Sequence, residues 1–411
     1  MPPTLERRAS DVPAATVNFI LNLGRALHAC GYAAHRLEGV LGAAAERLGI
    51  EAQFSSTPTL LHVAFGTQDR QQTFFLRVQP GEQDLGKLSQ LDRVVLRVLR
   101  GEITPEQGSG EIATLAAAPP RYGRLATTLA YGLGSGAATR FLGGGLPEII
   151  VGTALGLIIG LLALASQRRP WLSRVFEPFA SFVAAFLAAG AGALTGSFSV
   201  FTATLAGLIV LVPGLTLTVG MTELTTRHLV SGTARLSAAF MTLMGITFGV
   251  ALGNSVAAMI FGEAPFVSSA PIPSWVNIVA LLIAPLGFTV LLKAERSDFP
   301  LIVLIGVLAF YGSRVGAELF GPELGSFVGA FAVGLAGNIF ARVYDRPSQL
   351  LQVPGILLLV PGSVGFRSLN ALMEREVVSG IETAFRMLVI AVSLAAGLLL
   401  SSSIAPRRDL P

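Results

Sequence analysis

A single cysteine, Cys30, serves all 411 residues, which excludes a disulfide framework and a cysteine metal site. Charge is scarce too, with Asp, Glu, Lys and Arg at 13% of residues against 52% hydrophobic ones. That is too little polar surface to coat a soluble globule of this length, so a membrane protein is expected. The opening MPPTLERRASDVPAA lacks an apolar core segment, so no cleaved signal peptide is expected. The net charge is +4, but the basic residues beyond 121 stand singly or in pairs between apolar blocks. Membrane topology requires that pattern, and a nucleic-acid partner is excluded. HExxH and related ligand spacings are lacking, so neither a metal nor another cofactor is expected.

What charge there is crowds into residues 1–121. There, apolar residues at helical spacing (Leu37, Val40, Leu41, Ala44, Leu48) predict two helices parted near Cys30-Gly31. TLLHVAFG (59–66) and TFFLRVQP (73–80) read as a hairpin around TQDRQQ, and Leu85, Leu88, Leu91, Val95 and Leu99 mark a third helix. ITPEQ offers Thr104 as N-cap, Pro105 in the first helical position and Gln107 for a capping box. The sum is a small α+β domain, with PPRYG (119–123) as hinge. His28, His35, Arg36 and Glu38 read as a solvated helix face rather than an acid–base cluster.

The remainder offers ten apolar stretches near the length of about 20 residues that a span needs. They are 124–142, 147–166, 176–195, 199–218, 233–254, 275–292, 299–319, 323–341, 350–366 and 381–403. Basic residues gather in alternate breaks: Arg168, Arg169 and Arg174; Arg227 and Arg235; Lys293 and Arg296; Arg342 and Arg346; Arg407 and Arg408. The intervening breaks carry none, except the last, which holds Arg367 and Arg375. The positive-inside rule then places both termini and the N-terminal domain in the cytoplasm.

LVPGLTLTVGMTELTTRHLVSG, at 211–232, returns as LVPGSVGFRSLNALMEREVVSG, shifted by 148 positions from 211 to 359. The first copy follows the fourth span and the second the ninth. Each unit therefore holds five spans, and an odd number makes the second unit enter from the opposite face. The expected fold is a membrane all-α bundle of ten transmembrane helices, a 5+5 inverted repeat, with an N-terminal cytoplasmic α+β domain. Its divisions fall at 1–121, 122–262 and 263–411. Such repeats are a recurring architecture of secondary transporters, because matched halves can exchange roles as inner and outer gate.

The Pro-Gly pairs interrupt helices at membrane depth, since proline removes an amide donor and clashes one turn back. Freed backbone groups cannot face lipid, so the breaks should line a cavity. The expected substrate-binding residues are Pro213, Gly214, Thr216 and Thr218 at the first break, and Pro361, Gly362, Ser363 and Arg367 at the second. VPG recurs at 353–355, which would break the ninth span a second time. Glu223 and Glu382, beside the repeated segments, are the expected proton-coupling residues; Asn254 and Asn338 could donate to substrate or bridge helices. Arg140, Arg314 and Arg386 fall near outer span ends, where they can snorkel or recruit anions. Glycines at four-residue spacing (152, 156, 160; 245, 249, 253; 321, 325, 329) read as close helix packing.

Taken together, GYAAHRLEGVL, STPTLL, PPRYG, LVPG with VSGTARL, and VPGILLLVPGSVGFRSL with VSGIETAF resemble the bacterial threonine/serine exporter family. The likeness runs from about residue 15 to 403, with the two parts of split exporters fused in one chain. The resemblance implies export of threonine and serine across the bacterial cytoplasmic membrane, driven by protons. Split relatives imply a dicarboxylate such as succinate as an alternative substrate. Expected partners are that small solute, protons and the bilayer, with homo-oligomerisation left open. An intramembrane enzyme is disfavoured because the spans carry neither aspartate nor histidine. A solute sensor with a membrane anchor is the other alternative, though ten glycine-rich spans exceed what an anchor needs.

Overall fold

The structure is a computed structural model in which residues 13–405 are described. The leading residues and the Arg407-Arg408 pair lie outside them.

The N-terminal region runs α1 (Ala14–Ala29), α2 (Ala34–Arg47), β1 (Ala52–Thr57), β2 (Leu60–Phe65), β3 (Gln72–Arg77), α3 (Leu85–Leu99) and α4 (Pro105–Ala117). The strands form one antiparallel sheet in the order β1-β2-β3, with Phe54 opposite Val63 and Val63 opposite Phe74. The expected hairpin is β2–β3. β1 was not expected, because AQFSST is polar and only Ser56 in it is buried. It is recruited by its neighbour, joined through the two-residue turn Pro58-Thr59. Helix α3 buries Leu85, Leu88, Leu91 and Val95 on the stripe its spacing predicts, each worth roughly 1.5–3 kcal/mol relative to exposure. At α4 the Thr104 hydroxyl accepts from the Gln107 amide and the Gln107 side chain accepts from the Thr104 amide, a complete capping box.

The helices that follow are α5 (Arg124–Phe141), α6 (Leu146–Ser166), α7 (Pro170–Arg174), α8 (Phe176–Thr195), α9 (Val200–Gly207), α10 (Gly214–Thr225) and α11 (Leu229–Phe261). After them come α12 (Trp275–Leu291), α13 (Phe299–Phe320), α14 (Pro322–Tyr344), α15 (Gln349–Leu357), α16 (Gly362–Met373) and α17 (Val377–Ile404). Seven helical stretches among the described residues are long and apolar enough to cross a membrane: α6, α8, α11, Arg296–Phe320, α14, Gln349–Met373 and α17. The other three expected spans fall short for separate reasons. Helix α12 has only 17 residues, α5 carries Thr, Tyr, Ser and Arg among its apolar residues, and α9 with α10 is cut in two.

Helix neighbours fall into matched sets. α5 packs on α6 as α12 does on α13, α8 on α11 as α14 on α17, α10 on α11 as α16 on α17, and α6 on α9 as α13 on α15. Across the sets, α5 meets α12, α10 meets α17 and α11 meets α16. Buried carboxylates are placed alike as well. Glu148, in the first turn of α6, accepts from the Gly145 and Ser199 amides at 2.9 and 2.7 Å. Asp298, at the start of α13, holds Arg346 at 2.7 and 3.0 Å.

The ends of the repeated segments now have a physical reason. Arg227 and Arg375 both turn the chain with left-handed φ angles of 66° and 68°. Next, a Cβ on Gly232 would stand 2.8 Å from Leu224 Cδ2, and one on Gly380 2.5 Å from Leu372 Cγ. The matched leucines thus need matched glycines. The spaced glycines elsewhere pack as expected, Gly249 against the Pro178 carbonyl and Gly325 against that of Ser313, except Gly321, which ends α13 with a φ of 91° and nothing near.

His28 is buried in α1, its Nε2 on the Thr57 carbonyl at 3.1 Å, and burial lowers its pKa below the ordinary 6.5. Its neutral form is the one folding favours, so this stability is whole above that value and is lost as pH falls through it. The thermal midpoint of the full chain should drop between pH 7.5 and 5.5, and drop less in His28→Gln. Equal acid sensitivity of the two proteins in scanning calorimetry would refute this.

Candidate functional site

Helix α9 stops at Gly207 and α10 starts at Gly214, while α15 stops at Leu357 and α16 starts at Gly362. Both interruptions fall where Pro213 and Pro361 withdraw an amide donor. Pro354, by contrast, sits inside α15 without ending it, so the expected second break of this stretch is absent. Its clash falls one turn back, near the helix start, where a lost bond costs least.

The two breaks are in mutual contact. A Cβ on Gly214 would stand 2.5 Å from Val360 Cγ2, and one on Gly362 would stand 2.6 Å from Val212 Cγ1 and 3.0 Å from Gly214 Cα. Each Val-Pro-Gly thus places its valine over the other's glycine. To one side, a cavity of about 430 Å³ opens between α9 and α16, walled also by α8 and α11. Helix α9 supplies Phe201 and Thr204, and α16 supplies Phe366 and Asn370; the two phenyl rings stack at 6.0 Å. Thr204 is 3% exposed and its hydroxyl has no partner, an unspent hydrogen bond in the cavity wall. Asn254 of α11 lines the same space.

Of the expected binding residues, Pro213, Gly214, Pro361 and Gly362 are brought together. The Thr218 hydroxyl donates to the Gly214 carbonyl at 3.1 Å, extending the half-helix. Thr216 and Ser363 are half-buried in the first turns of α10 and α16. Arg367 is exposed and does not line the cavity, although Phe366 beside it does. Arg314 lies over the Phe310 ring at 5.5 Å, and the Arg140 Nε is buried without a partner. Asn338 is wholly buried and accepts from Gln352 at 2.9 Å. Thr204, Phe201, Phe366, Asn370 and Gln352 were not singled out in the sequence. One signal would have found two of them, since Thr204 and Gln352 are polar residues in apolar stretches related by the same shift of 148 (204 to 352).

The two expected coupling residues do not converge. Glu382 is 62% exposed and paired with Arg386, which also reaches Glu323 at 3.4 Å. Glu223 is 0% exposed and fully engaged, accepting from the Ala34 amide at 2.8 Å, the Ser231 hydroxyl at 2.9 Å and Arg235 Nε at 3.0 Å. Arg235 continues to the Tyr32 carbonyl, Tyr32 bonds the Gln349 side chain, Arg36 donates to Gln352 Oε1 at 2.6 Å, and Glu38 meets His228 at 3.1 Å. The α1–α2 corner is thereby seated on α10, α11 and α15. This corrects the reading of His28, His35, Arg36 and Glu38 as a solvated face, because His28 is in the core and the rest face the helical bundle. Long-range contact was invisible in a local cluster of charges.

These features define a multi-pass helical membrane protein built around two interrupted helices and capped by a region of helices and an antiparallel sheet. Residues 18–257 match the ThrE model of the threonine/serine exporters, and residues 277–404 match the model described as "Threonine/Serine exporter, ThrE". The chain belongs to that threonine/serine exporter family, with both parts in one polypeptide. It is also similar to "Pheromone-regulated membrane protein 10" of Eremothecium gossypii, at 28% identity over 85% of this chain and 48% of that protein. The same-named proteins of Candida albicans and Saccharomyces cerevisiae are 29% and 28% identical over 89% of this chain and 34% and 48% of theirs. The chain thus spans half or less of the length of these relatives. No solved structure matches.

Removing one member of a buried ion pair costs roughly 3–5 kcal/mol, because the partner stays buried without compensation. Glu223→Ala should therefore lower the thermal midpoint and speed protease cleavage at the 118–123 linker, whereas Glu382→Ala should leave both near the parental values. Equal behaviour of the two variants would remove the anchoring role given to Glu223.

Proposed function

We propose that this protein is a secondary exporter of small hydroxy amino acids, threonine and serine, working by alternating access between two inverted five-helix halves. The observation that carries the reading is the reciprocal seating of the two Val-Pro-Gly breaks, Val360 over Gly214 and Val212 over Gly362. Two equivalent hinges in contact can rock one half against the other while the backbone groups they free stay shielded from lipid.

The connections support ten crossings. Those at 143–148, 196–199 and 262–270 gather at one end, through Glu148 with Ser199 and Gly145 against Ala270. Those at 292–298 and 345–349 meet the N-terminal region at the other, through Leu85 with Leu292, Lys293 with Glu82, and Arg100 with Asp345. The basic-residue pattern assigns the second end to the cytoplasm.

An amino acid is favoured over a dicarboxylate by the charge of the cavity. Its charged lining residues are Glu263 and Glu374, and Arg367, Arg140 and Arg314 stand outside its wall. Carboxylates attract an ammonium group and repel a dianion. Glu223 is the proposed coupling carboxylate, since neutralising it would remove the negative charge that holds Arg235, and so loosen the seat of the α1–α2 corner.

The test uses full-length protein in liposomes loaded with labelled threonine, serine or succinate under an imposed pH gradient. Efflux of threonine and serine that follows the gradient is expected, and absence of efflux for all three solutes would overturn the proposal. Gly214→Val and Gly362→Val should each abolish it while the protein still inserts. Thr204→Val should raise the half-saturation constant about fivefold, the worth of one hydrogen bond near 1 kcal/mol.

A further inference from the structure

The shift of 148 that relates the two halves also relates the surroundings of the breaks. Thr204, the unpartnered hydroxyl of the cavity, maps onto Gln352, and Phe201 maps onto Gln349. On the cavity side this position is open. On the side of the N-terminal region it is occupied. Gln352 is 1% exposed; its amide donates to Asn338 Oδ1 at 2.9 Å and to the Gly334 carbonyl at 3.3 Å, and its Oε1 receives Arg36 at 2.6 Å. Asn338 is 0% exposed and its Nδ2 has no partner, a buried donor left over in this cluster. Arg36 belongs to neither half. It is delivered by the corner that Glu223, Arg235, Gln349 and His228 hold in place.

We propose that Gln352 and Asn338 form the cytoplasmic-side binding site for the amino acid, and that Arg36 is a tethered occupant which closes this site until the α1–α2 corner lifts. The inference rests on the exporter reading above and names the residues that serve it on that side. Gln352 Oε1 would take the substrate's ammonium group, and the spare Asn338 Nδ2 donor its carboxylate or hydroxyl. Leaving a buried acceptor and its cationic partner apart is costly, so the guanidinium departs readily only if another cationic donor arrives. An ammonium group makes that exchange charge for charge. A dicarboxylate brings no donor to Gln352, so the same contact selects against it.

The experiment uses full-length protein in liposomes with Cys30→Ala and Ser348→Cys, which puts one thiol at the buried N-cap of α15. An impermeant maleimide is applied on the side of the N-terminal region. Arg36→Ala and Arg36→Gln should raise the labelling rate about fivefold or more, as the closed population falls, and should lower the half-saturation constant for threonine on that side. Arg36→Lys should stay near the parental rate. Threonine, but not succinate, should speed labelling of the parental protein. Parental labelling rates in both Arg36→Ala and Arg36→Gln overturn the plug, even if solute moves. Arg36-dependent labelling that threonine leaves unchanged overturns the binding site. If instead no solute moves in any variant, the exporter reading fails, and the Arg36 dependence of labelling is still read separately.

Discussion

The molecule turns on a backbone contact between two glycines. Gly214 and Gly362 lie close enough that a Cβ on either would meet the other's chain or its covering valine. An interrupted helix leaves amide and carbonyl groups that hydrocarbon cannot satisfy, at several kcal/mol for each group. Here the glycine of each interruption is covered by the valine of the other, and Ser135 of α5 donates to the Gly207 carbonyl freed at the first. That mutual cover explains why the Val-Pro-Gly triplet is kept twice while the sequence around it differs. It also explains why α10 meets α17 and α11 meets α16, since elements following the breaks must cross over to pack.

Buried carboxylates in such a bundle are costly unless several donors meet them. Glu148, Asp298 and Glu223 each satisfy that condition, and each ties a helix to a connection rather than lining the cavity. Glu148 and Asp298 do so at the starts of α6 and α13, fixing the segments that lead into the two broken stretches. Glu223 has no matching acid, because the residue at its shifted position is Ala371. Of these three buried acids it is the one that binds the N-terminal region directly, through the Ala34 amide.

The skeleton of the site was legible because it is local chemistry. Proline beside glycine removes an amide donor and loosens the backbone, which breaks the helix at 213–214 and 361–362 though not at 354–355, and the constant shift placed both breaks in corresponding stretches. The capping box at Thr104 and the stripe of α3 were legible for the same reason. Strand β1 was not, since its residues gain strand character only from pairing with β2. Arg36 and Glu38 were read as solvated because a helix face carries no mark of what covers it, and here the cover comes from residues two to three hundred positions away. Thr204 is a threonine among many in apolar helices. Beyond its match to Gln352 under the shift of 148, its unsatisfied hydroxyl inside a cavity sets it apart, and that is a property of packing.

The interior of the repeated segment has diverged for a reason the two ends of the molecule supply. In the first copy it carries Thr222, Glu223 and His228, and this stretch meets the α1–α2 corner. In the second it carries Phe366, Asn370 and Glu374, and this stretch walls the cavity. The Val-Pro-Gly residues of the two breaks pack against each other, whereas the half-helices beyond them answer to what each side faces. One faces a folded domain and must offer anchors. The other faces open space and must offer a ring, an amide and a carboxylate. A repeat alike at its break and diverged in its arms fits a bundle in which one copy meets the N-terminal region and the other walls a cavity.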